Sequence, residues 1–327
     1  MSGRTQHEKH LENQIMEGLE GFPEVIINFA DEAAGAQQTT KKTTVNIVKR
    51  FVIYLKEQGI NIDDPACWSK ITKRNIKDYF KSIKRKSNGE WVNSRTLSNY
   101  LTAIQTFFNY LYLEEYIDKN PCPTRKEMDG IFSKEMREHH VVYLTPEEVK
   151  HVESTILRMS PNPKRDACIF MLGCRTGLRV QALVDIDIKD IDFEAKTIDV
   201  IEKNKSIRTV YLDDNSVQMI KDCIAERNKE PLLAKTDMLF CKLFKGMPRR
   251  LTADYVEDMI RRYTRDLDKY ITPHKLRATC ITNTYKATGD IYAAARRAGH
   301  ASLTNTKLYI DTTDEDKKIA DTIASLY

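Results

Sequence analysis

Residues 272–277 read Thr-Pro-His-Lys-Leu-Arg, a stretch that starts a helix within a mainly helical chain. Proline suits the first helical position, because its fixed φ fits a helix and its missing N–H needs no partner there. Side chains three residues apart lie on one side of a helix. The stretch therefore predicts a helix over 274–288 that presents His274 and Arg277 to the same place.

Two further stretches carry candidate catalytic groups. Residues 175–179, Arg-Thr-Gly-Leu-Arg, predict a tight turn that leads into a helix and presents Arg179, with Arg175 as the nearby alternative. An Ala-Gly dipeptide precedes His300, and Tyr309 follows nine residues later. A lone arginine most often forms a surface ion pair, and a lone tyrosine most often packs in a core. Their occurrence in one ordered set with the first stretch favours a catalytic interpretation.

The set supplies what attack on a DNA phosphodiester needs in the absence of a metal ion: a nucleophile, fixed cations and proton-transfer groups. A guanidinium binds two phosphate oxygens at once and keeps its charge, so it stabilises the charge that builds on them in the transition state. Arg179 and Arg277 are the candidates for this role.

A β-rich interruption divides the helices of the C-terminal half. Residues 197–201 and 207–212 are rich in β-branched side chains and flank a polar turn, so they predict an antiparallel hairpin. Residues 238–241 are a candidate third strand. The fold class is therefore mainly α with a small antiparallel β-sheet. The helices expected in this half cover residues 145–159, 215–227, 252–267, 274–288, 291–298, 303–309 and 314–326.

The N-terminal half is predicted to be a helical unit. Apolar residues recur at spacings of three and four over 43–58, 73–85 and 94–115, after a short helical arm in residues 1–40. Between residues 69 and 95, nine Lys or Arg stand against two acids, a local net charge of +7 that complements phosphate; a solvated helix face is the alternative. The candidate DNA contacts are Lys70, Lys73, Arg74, Lys77, Lys81, Lys84, Arg85, Lys86 and Arg95.

Prolines and charges mark the boundaries of the two halves. Pro121 and Pro123 cannot continue a helix, which places a linker at residues 121–140. The second domain opens with a capping-box pattern at Thr145-Pro-Glu-Glu. Residues 311–327 hold five acids against two lysines, so this closing helix is not expected to follow DNA.

Composition limits the class of protein. With 327 residues and 41% hydrophobic content, the chain is long enough for two packed domains. Lys plus Arg exceed Asp plus Glu by 52 to 47, too small a difference to identify a nucleic-acid binder. The seven cysteines show no metal-ligand spacing, and no apolar run reaches the ~18 residues that span a bilayer. We expect a soluble cytoplasmic protein with no metal or nucleotide cofactor.

The three stretches together resemble the signature boxes of the tyrosine recombinase, or phage integrase, family. The matching residues are Thr-Gly-Leu-Arg179, His274-Lys-Leu-Arg277 and Ala-Gly-His300 followed by Tyr309. The similarity covers roughly residues 40–320, because the helix that ends before Pro121 also resembles the close of that family's core-binding domain.

The resemblance implies a role for each residue of the set. Tyr309 becomes linked to a DNA 3′ phosphate and releases a 5′ hydroxyl; with a pKa near ~10, it needs a proton acceptor or charge stabilisation. His274 is the implied acceptor, and His300 a donor that orients the phosphate or the tyrosine. Lys203 in the hairpin turn protonates the leaving oxygen, since its spacing fits the family better than that of Lys205. Lys205 stays the alternative and a candidate DNA contact.

The resemblance also implies an architecture and an assembly. A SAM-like helical core-binding domain over 41–120 and an α+β catalytic domain over 141–310 form a C-shaped clamp on double-stranded DNA. Four protomers join two recombination sites, and the helix at 311–327 packs on a neighbouring protomer; an accessory protein is left open. Relaxation of DNA by a type IB topoisomerase and DNA binding without catalysis are the alternatives.

One position departs from the family pattern. Ala182 stands where many relatives carry an acid three residues after the first arginine. Two alternatives stay open: the carboxylate that supports Arg179 is missing, or Asp185 or Asp187 supplies it.

Overall fold

The structure, a computed structural model, describes residues 11–32, 38–85, 89–90, 92–132, 141–201, 206–300, 302–307 and 309. Lys86, Lys203, Lys205 and the closing helix at 311–327 lie outside the described residues, as do the first ten residues of the arm. The chain forms two units, Met1–Met136 and Arg137–Tyr327. In the described part, no helix is both long and apolar enough to cross a bilayer.

The N-terminal unit is helical, as its sequence predicts. Thr72 opens the basic helix as a capping box with Asn75, and the buried side chains Ile76, Tyr79 and Phe80 form its inner face. Residues 11–17 are helical, and a 3₁₀ turn covers Lys126–Met128. The other helices are α1 (Glu24–Glu32), α2 (Gln38–Glu57), α3 (Cys67–Lys70), α4 (Lys73–Ile83) and α5 (Ser94–Leu113).

Segments at both ends of this unit, before α1 and after α5, contribute to its core. Ile15 and Leu19 come from the stretch expected to be an arm, and Met128 and Ile131 come from the stretch expected to be a linker. All four belong to the same buried cluster as the helices. Helix α5 ends at Leu113, followed by Glu115 at positive φ (59°), before the prolines are reached. The packing continues past Pro121 and Pro123, because apolar residues beyond them still gain by leaving water.

The C-terminal unit consists of helices around one main buried cluster. Thr145 forms the expected capping box with Glu148, and that helix ends at Met159 as predicted. The next helix, which the sequence pattern did not reveal, is buried along most of its length. The helices are α6 (Pro146–Met159), α7 (Pro163–Thr176), α8 (Val180–Val184), α9 (Asp214–Arg227), α10 (Pro231–Ala234), α11 (Ala253–Tyr263), α12 (Pro273–Thr288), α13 (Ile291–Ala298) and α14 (Leu303–Lys307).

The described residues of this unit form two small antiparallel sheets. Strands β2 (Thr197–Ile201) and β3 (Ile207–Tyr211) form the predicted hairpin, with β1 (Ile191–Asp192) on its edge. Strands β4 (Cys241–Phe244) and β5 (Met247–Arg250) form a separate hairpin. The described fold is mainly α with small antiparallel sheets, as expected.

The third strand expected at residues 238–241 is wrong in place and partner. Met238 makes only an isolated bridge to Asp187, and β4 begins at Cys241. Lys245 and Gly246 both have positive φ, 51° and 74°. Such a two-residue turn fixes a tight hairpin, so β4 pairs with the following strand rather than with the first sheet.

Candidate active site

Tyr309 lies beside His274 at the start of α12. Its Oη is 2.8 Å from His274 Nε2, a hydrogen-bonding distance. The backbone of Tyr309 is held from both sides: its N–H donates to the carbonyl of Thr306 at 2.9 Å, and the Thr282 hydroxyl donates to its carbonyl at 3.0 Å. The tyrosine is therefore fixed next to an imidazole that can accept its proton.

His300 also lies beside Tyr309. Helix α13 ends at Gly299 in the left-handed region (φ 67°), and the His300 N–H donates back to Ala295. The His300 ring is roughly parallel to the Tyr309 ring, with centroids 5.9 Å apart and an interplanar angle of 25°. Its Nδ1 is 2.8 Å from Thr306 Oγ1. Both histidines thus contact the same tyrosine.

Arg277 is buried beneath this group, with 3% of its surface exposed. Its Nη1 donates to the carbonyl of Gly177 at 2.6 Å. Gly177 ends α7 with φ 62°, and a Cβ added there would lie 3.3 Å from Cys280 Sγ and 3.6 Å from Ala298 Cα. The small left-handed residue lets the turn before Arg179 pack closely against α12 and α13.

Arg179 is the N-cap residue of α8 and is exposed. Its charge is one of the influences that lower the pKa of His274, so it lies near the same group. Arg175, the alternative, instead donates to Asp213 and to Ser216 at 3.2 Å. The charge of Arg179 acts on His274, His300 and Tyr309, which places this arginine near the site.

The carboxylates proposed to support Arg179 have other contacts. Asp185 accepts two hydrogen bonds of 3.0 Å from the Gln181 amide. Asp187 accepts from Arg250, which also donates to the carbonyls of Val184 and Ile186. Arg250 thereby anchors the C-terminal end of α8.

The electrostatic environment keeps the two histidines neutral and the tyrosine protonated near neutral pH. Partial desolvation lowers the pKa of His274, and the nearby charge of Arg277 lowers it further. Desolvation, followed by Arg277 and Arg179, lowers the pKa of His300 to about 4. Desolvation raises the pKa of Tyr309, whereas both arginines lower it. A neutral His274 can accept the proton of Tyr309 as the tyrosine reacts.

Two arginines join the β2–β3 hairpin to the end of α13. Arg208 on β3 donates to the carbonyl of Ala298 at 3.1 Å and to that of Arg297 at 2.6 Å. The Arg297 guanidinium donates to two backbone carbonyls, that of Arg175 at 2.7 Å and that of Tyr211 on β3 at 2.9 Å. Cations are favourable at the negative end of a helix. Strand β3 of the hairpin is thus fixed against the segment that carries His300.

The predicted DNA contacts that the structure describes lie in and around α4. Lys73 pairs with Glu127, and Asp78 lies 3.8 Å from Arg74 and 2.8 Å from Lys81. Ion pairs of exposed side chains contribute little to stability, so these cations are still available to exchange partners for phosphate. The other described candidates are Lys70, Lys77, Lys84, Arg85 and Arg95.

The sequence did not reveal the roles of Thr306, Thr282, Arg297 and Arg208 in this site. Threonine in a helix usually bonds its own backbone, so residue type carries no signal here. The one available hint is spacing, because Thr306 stands three residues before Tyr309.

Comparisons with known proteins agree with this site. A model of the phage integrase family matches residues 142–316. The tyrosine recombinase XerS of Streptococcus thermophilus is 28% identical over 307 residues, covering 83% of this chain and 86% of that protein. XerS of Streptococcus pneumoniae is 25% identical with the same coverage.

Solved structures share the fold at low identity. XerH site-specific recombinase bound to palindromic difH substrate is 20% identical, with a TM-score of 0.68 over 92% of this chain and 84% of that chain. The Tn1549 transposon integrase with transposon right end DNA is 18% identical, with a TM-score of 0.68 over 92% and 98%.

The fold and the family match together define a DNA strand-transferring enzyme of the tyrosine recombinase class. The chain belongs to the phage integrase family.

Proposed function

We propose that this protein carries out site-specific DNA recombination through a 3′-phosphotyrosine intermediate formed on Tyr309. The observation that supports this most directly is the 2.8 Å contact between Tyr309 Oη and His274 Nε2. An O–H···N contact at this distance places a nucleophile and its base as they are needed for the first proton transfer. Arg277 and Arg179 provide positive charge beside it.

The cleavage step uses these residues in sequence. The Tyr309 oxygen attacks phosphorus, the P–O5′ bond breaks, and the tyrosine proton passes to His274. Arg179, Arg277 and His300 bind the non-bridging oxygens as charge builds on them; removing one such donor typically costs on the order of 3 kcal/mol of transition-state stabilisation. Because the phosphotyrosine keeps the energy of the broken diester, a 5′ hydroxyl from another strand can reverse the reaction and seal the DNA.

The leaving 5′ oxygen needs a proton, and Lys203 is our candidate donor. An ammonium on a turn can reach the cleaved strand and release a proton there. The support is indirect. Arg208, on the strand that follows this turn, donates to carbonyls at the end of α13, and His300 lies just beyond that end. Lys205 is the alternative donor and otherwise a phosphate contact.

The DNA partner is double-stranded, and the basic residues around α4 are proposed to bind its backbone. XerH and the Tn1549 integrase have both been solved with DNA, which supports such a partner for this chain. We infer a homotetramer on two recombination sites, with the helix at 311–327 packing on a neighbouring protomer. The site of action is the cytoplasm, on DNA.

The test is strand exchange between defined sites. DNA selected from a random pool by binding to the protein is cloned as two copies on one plasmid and incubated with the protein in EDTA without ATP. We expect deletion or inversion between the copies, with cleavage at one fixed position. Relaxation of any supercoiled plasmid by a monomer indicates a topoisomerase instead, and binding without cleavage indicates a silent DNA-binding protein.

A further inference from the structure

Thr306 contacts both His300 and Tyr309. It is fully buried in α14, and its hydroxyl lies 2.8 Å from His300 Nδ1. Its carbonyl accepts the N–H of Tyr309 at 2.9 Å. One side chain and its own backbone therefore contact both the histidine and the nucleophile.

We propose that Thr306 is a positioning residue that fixes the ring orientation and the tautomer of His300. The inference rests on the proposed function, because it concerns how His300 binds the reacting phosphate. A neutral imidazole carries one N–H, and its other nitrogen can only accept. To donate to a phosphate oxygen, His300 must carry its hydrogen on the nitrogen that Thr306 does not occupy.

The proton arrangement follows from this requirement. The pKa of His300 falls to about 4, first through desolvation and then through Arg277, so the ring is neutral near pH 7. Thr306 Oγ1–H donates to Nδ1, and Nε2 then holds the hydrogen for the phosphate. A hydroxyl can donate or accept, and the 2.8 Å contact fits both tautomers of His300. The need for Nε2 to donate to the phosphate selects the arrangement in which Thr306 donates to Nδ1.

A closely matched set of variants tests the proposal in the full-length protein. Thr306→Val keeps the shape of the side chain and removes the hydroxyl, whereas Thr306→Ser keeps the hydroxyl. Thr304→Val is the control, because Thr304 is exposed in the same helix. The probe is a nicked duplex carrying the selected site, cleaved in a single turnover at saturating protein, with DNA affinity and melting temperature measured alongside.

We expect Thr306→Val to slow cleavage by roughly 10- to 100-fold, the size of loss seen when partners that orient metal-bound histidines are removed, with DNA affinity changed less than about two-fold. Thr306→Ser and Thr304→Val are expected to stay within a few-fold of the original rate. In ¹⁵N NMR spectra of histidine-labelled protein, His300 should show the Nε2–H tautomer, and Thr306→Val should yield a mixture of tautomers.

A double-mutant cycle separates positioning from simple packing. In a His300→Ala background, Thr306→Val should cost nothing further if it acts through the histidine. An equal loss in both backgrounds, or an unchanged tautomer in Thr306→Val, overturns the proposal while leaving recombination intact. Failure of the original protein to cleave any selected site instead overturns the proposed function.

Discussion

Arg208 lies directly against Gly299: a Cβ added to the glycine would be 2.5 Å from Arg208 Nη1 and 2.8 Å from its Cζ. Gly299 adopts φ 67°, and Gly289 at the end of α12 adopts the same value with open space around its missing Cβ. The two glycines share a backbone requirement, but only one of them has a neighbour that an added methyl group would displace.

We therefore predict different effects for two identical substitutions. Gly289→Ala should cost about 1–2 kcal/mol of unfolding free energy, the typical strain of a left-handed residue with a Cβ. Gly299→Ala should carry the same strain and also displace Arg208, so it should lose more stability and slow DNA cleavage far more than Gly289→Ala does. Chemical denaturation and single-turnover cleavage measure the two effects. Equal cleavage rates for the two variants contradict a positioning role for the Arg208 contact.

The pH dependence of cleavage should report His274. Its pKa is lowered, first by desolvation and then by Arg277, and it must be neutral to accept the Tyr309 proton. At limiting DNA, where the rate reflects the free enzyme, the rate should fall as pH drops through the lowered pKa, so the midpoint of the acid limb should lie below pH 6.5. His274→Ala should reduce cleavage by about 10²- to 10⁴-fold and remove this inflection. An acid limb centred above pH 6.5 is inconsistent with this assignment.

The basic face of α4 should control DNA affinity by binding backbone phosphates. Substituting Arg74 and Lys81 with Gln should weaken binding to all sequences alike. The slope of log K against log salt should become shallower by about 0.9 for each phosphate that the variant no longer neutralises. Lys56→Gln is the matched control, since Lys56 is an exposed lysine on α2 of the same unit. If the control and the double variant have the same salt slope, α4 does not bind the DNA backbone.

The two lysines of the hairpin turn are distinguished by leaving-group chemistry. Lys203→Ala should abolish cleavage of an ordinary duplex but retain cleavage when the 5′ bridging oxygen is replaced by sulfur, because a thiolate leaves without a proton. Lys205→Ala should cleave both substrates at similar rates, with at most weaker DNA binding. The reverse pattern makes Lys205 the proton donor.

Sequence alone predicted most of the elements that carry the site. The helix that starts at Pro273, the turn at Gly177 and the two strands of the main hairpin have strong local signals: an N1 proline, a left-handed glycine and β-branched runs. These signals depend on nearest neighbours and survive folding. They place His274, Arg277 and Arg179 on elements whose ends meet at Tyr309.

What the sequence could not reveal depends on tertiary contact. Helix α7 is buried along most of its length, so it lacks the one-sided apolar pattern that identifies a surface helix. The contacts of Thr306 with His300 and of Arg208 with the end of α13 join residues by geometry that no local pattern encodes. The β4–β5 hairpin itself was missed, because the turn at Lys245 and Gly246 was not recognised.

The central claim is that Tyr309 attacks DNA, and the most direct test is to identify the residue that becomes joined to it. A duplex with a nick close to the cleavage site releases a short fragment that carries the 5′ hydroxyl. Once this fragment has dissociated, the strand cannot be resealed, and the covalent adduct is trapped. Mass spectrometry of the digested adduct should find the DNA 3′ phosphate on the peptide that contains Tyr309. Tyr309→Phe should bind the duplex and form no adduct, whereas Tyr292→Phe, at an exposed tyrosine of α13, should form it normally. An adduct formed by Tyr309→Phe, or one mapped to another residue, contradicts the mechanism.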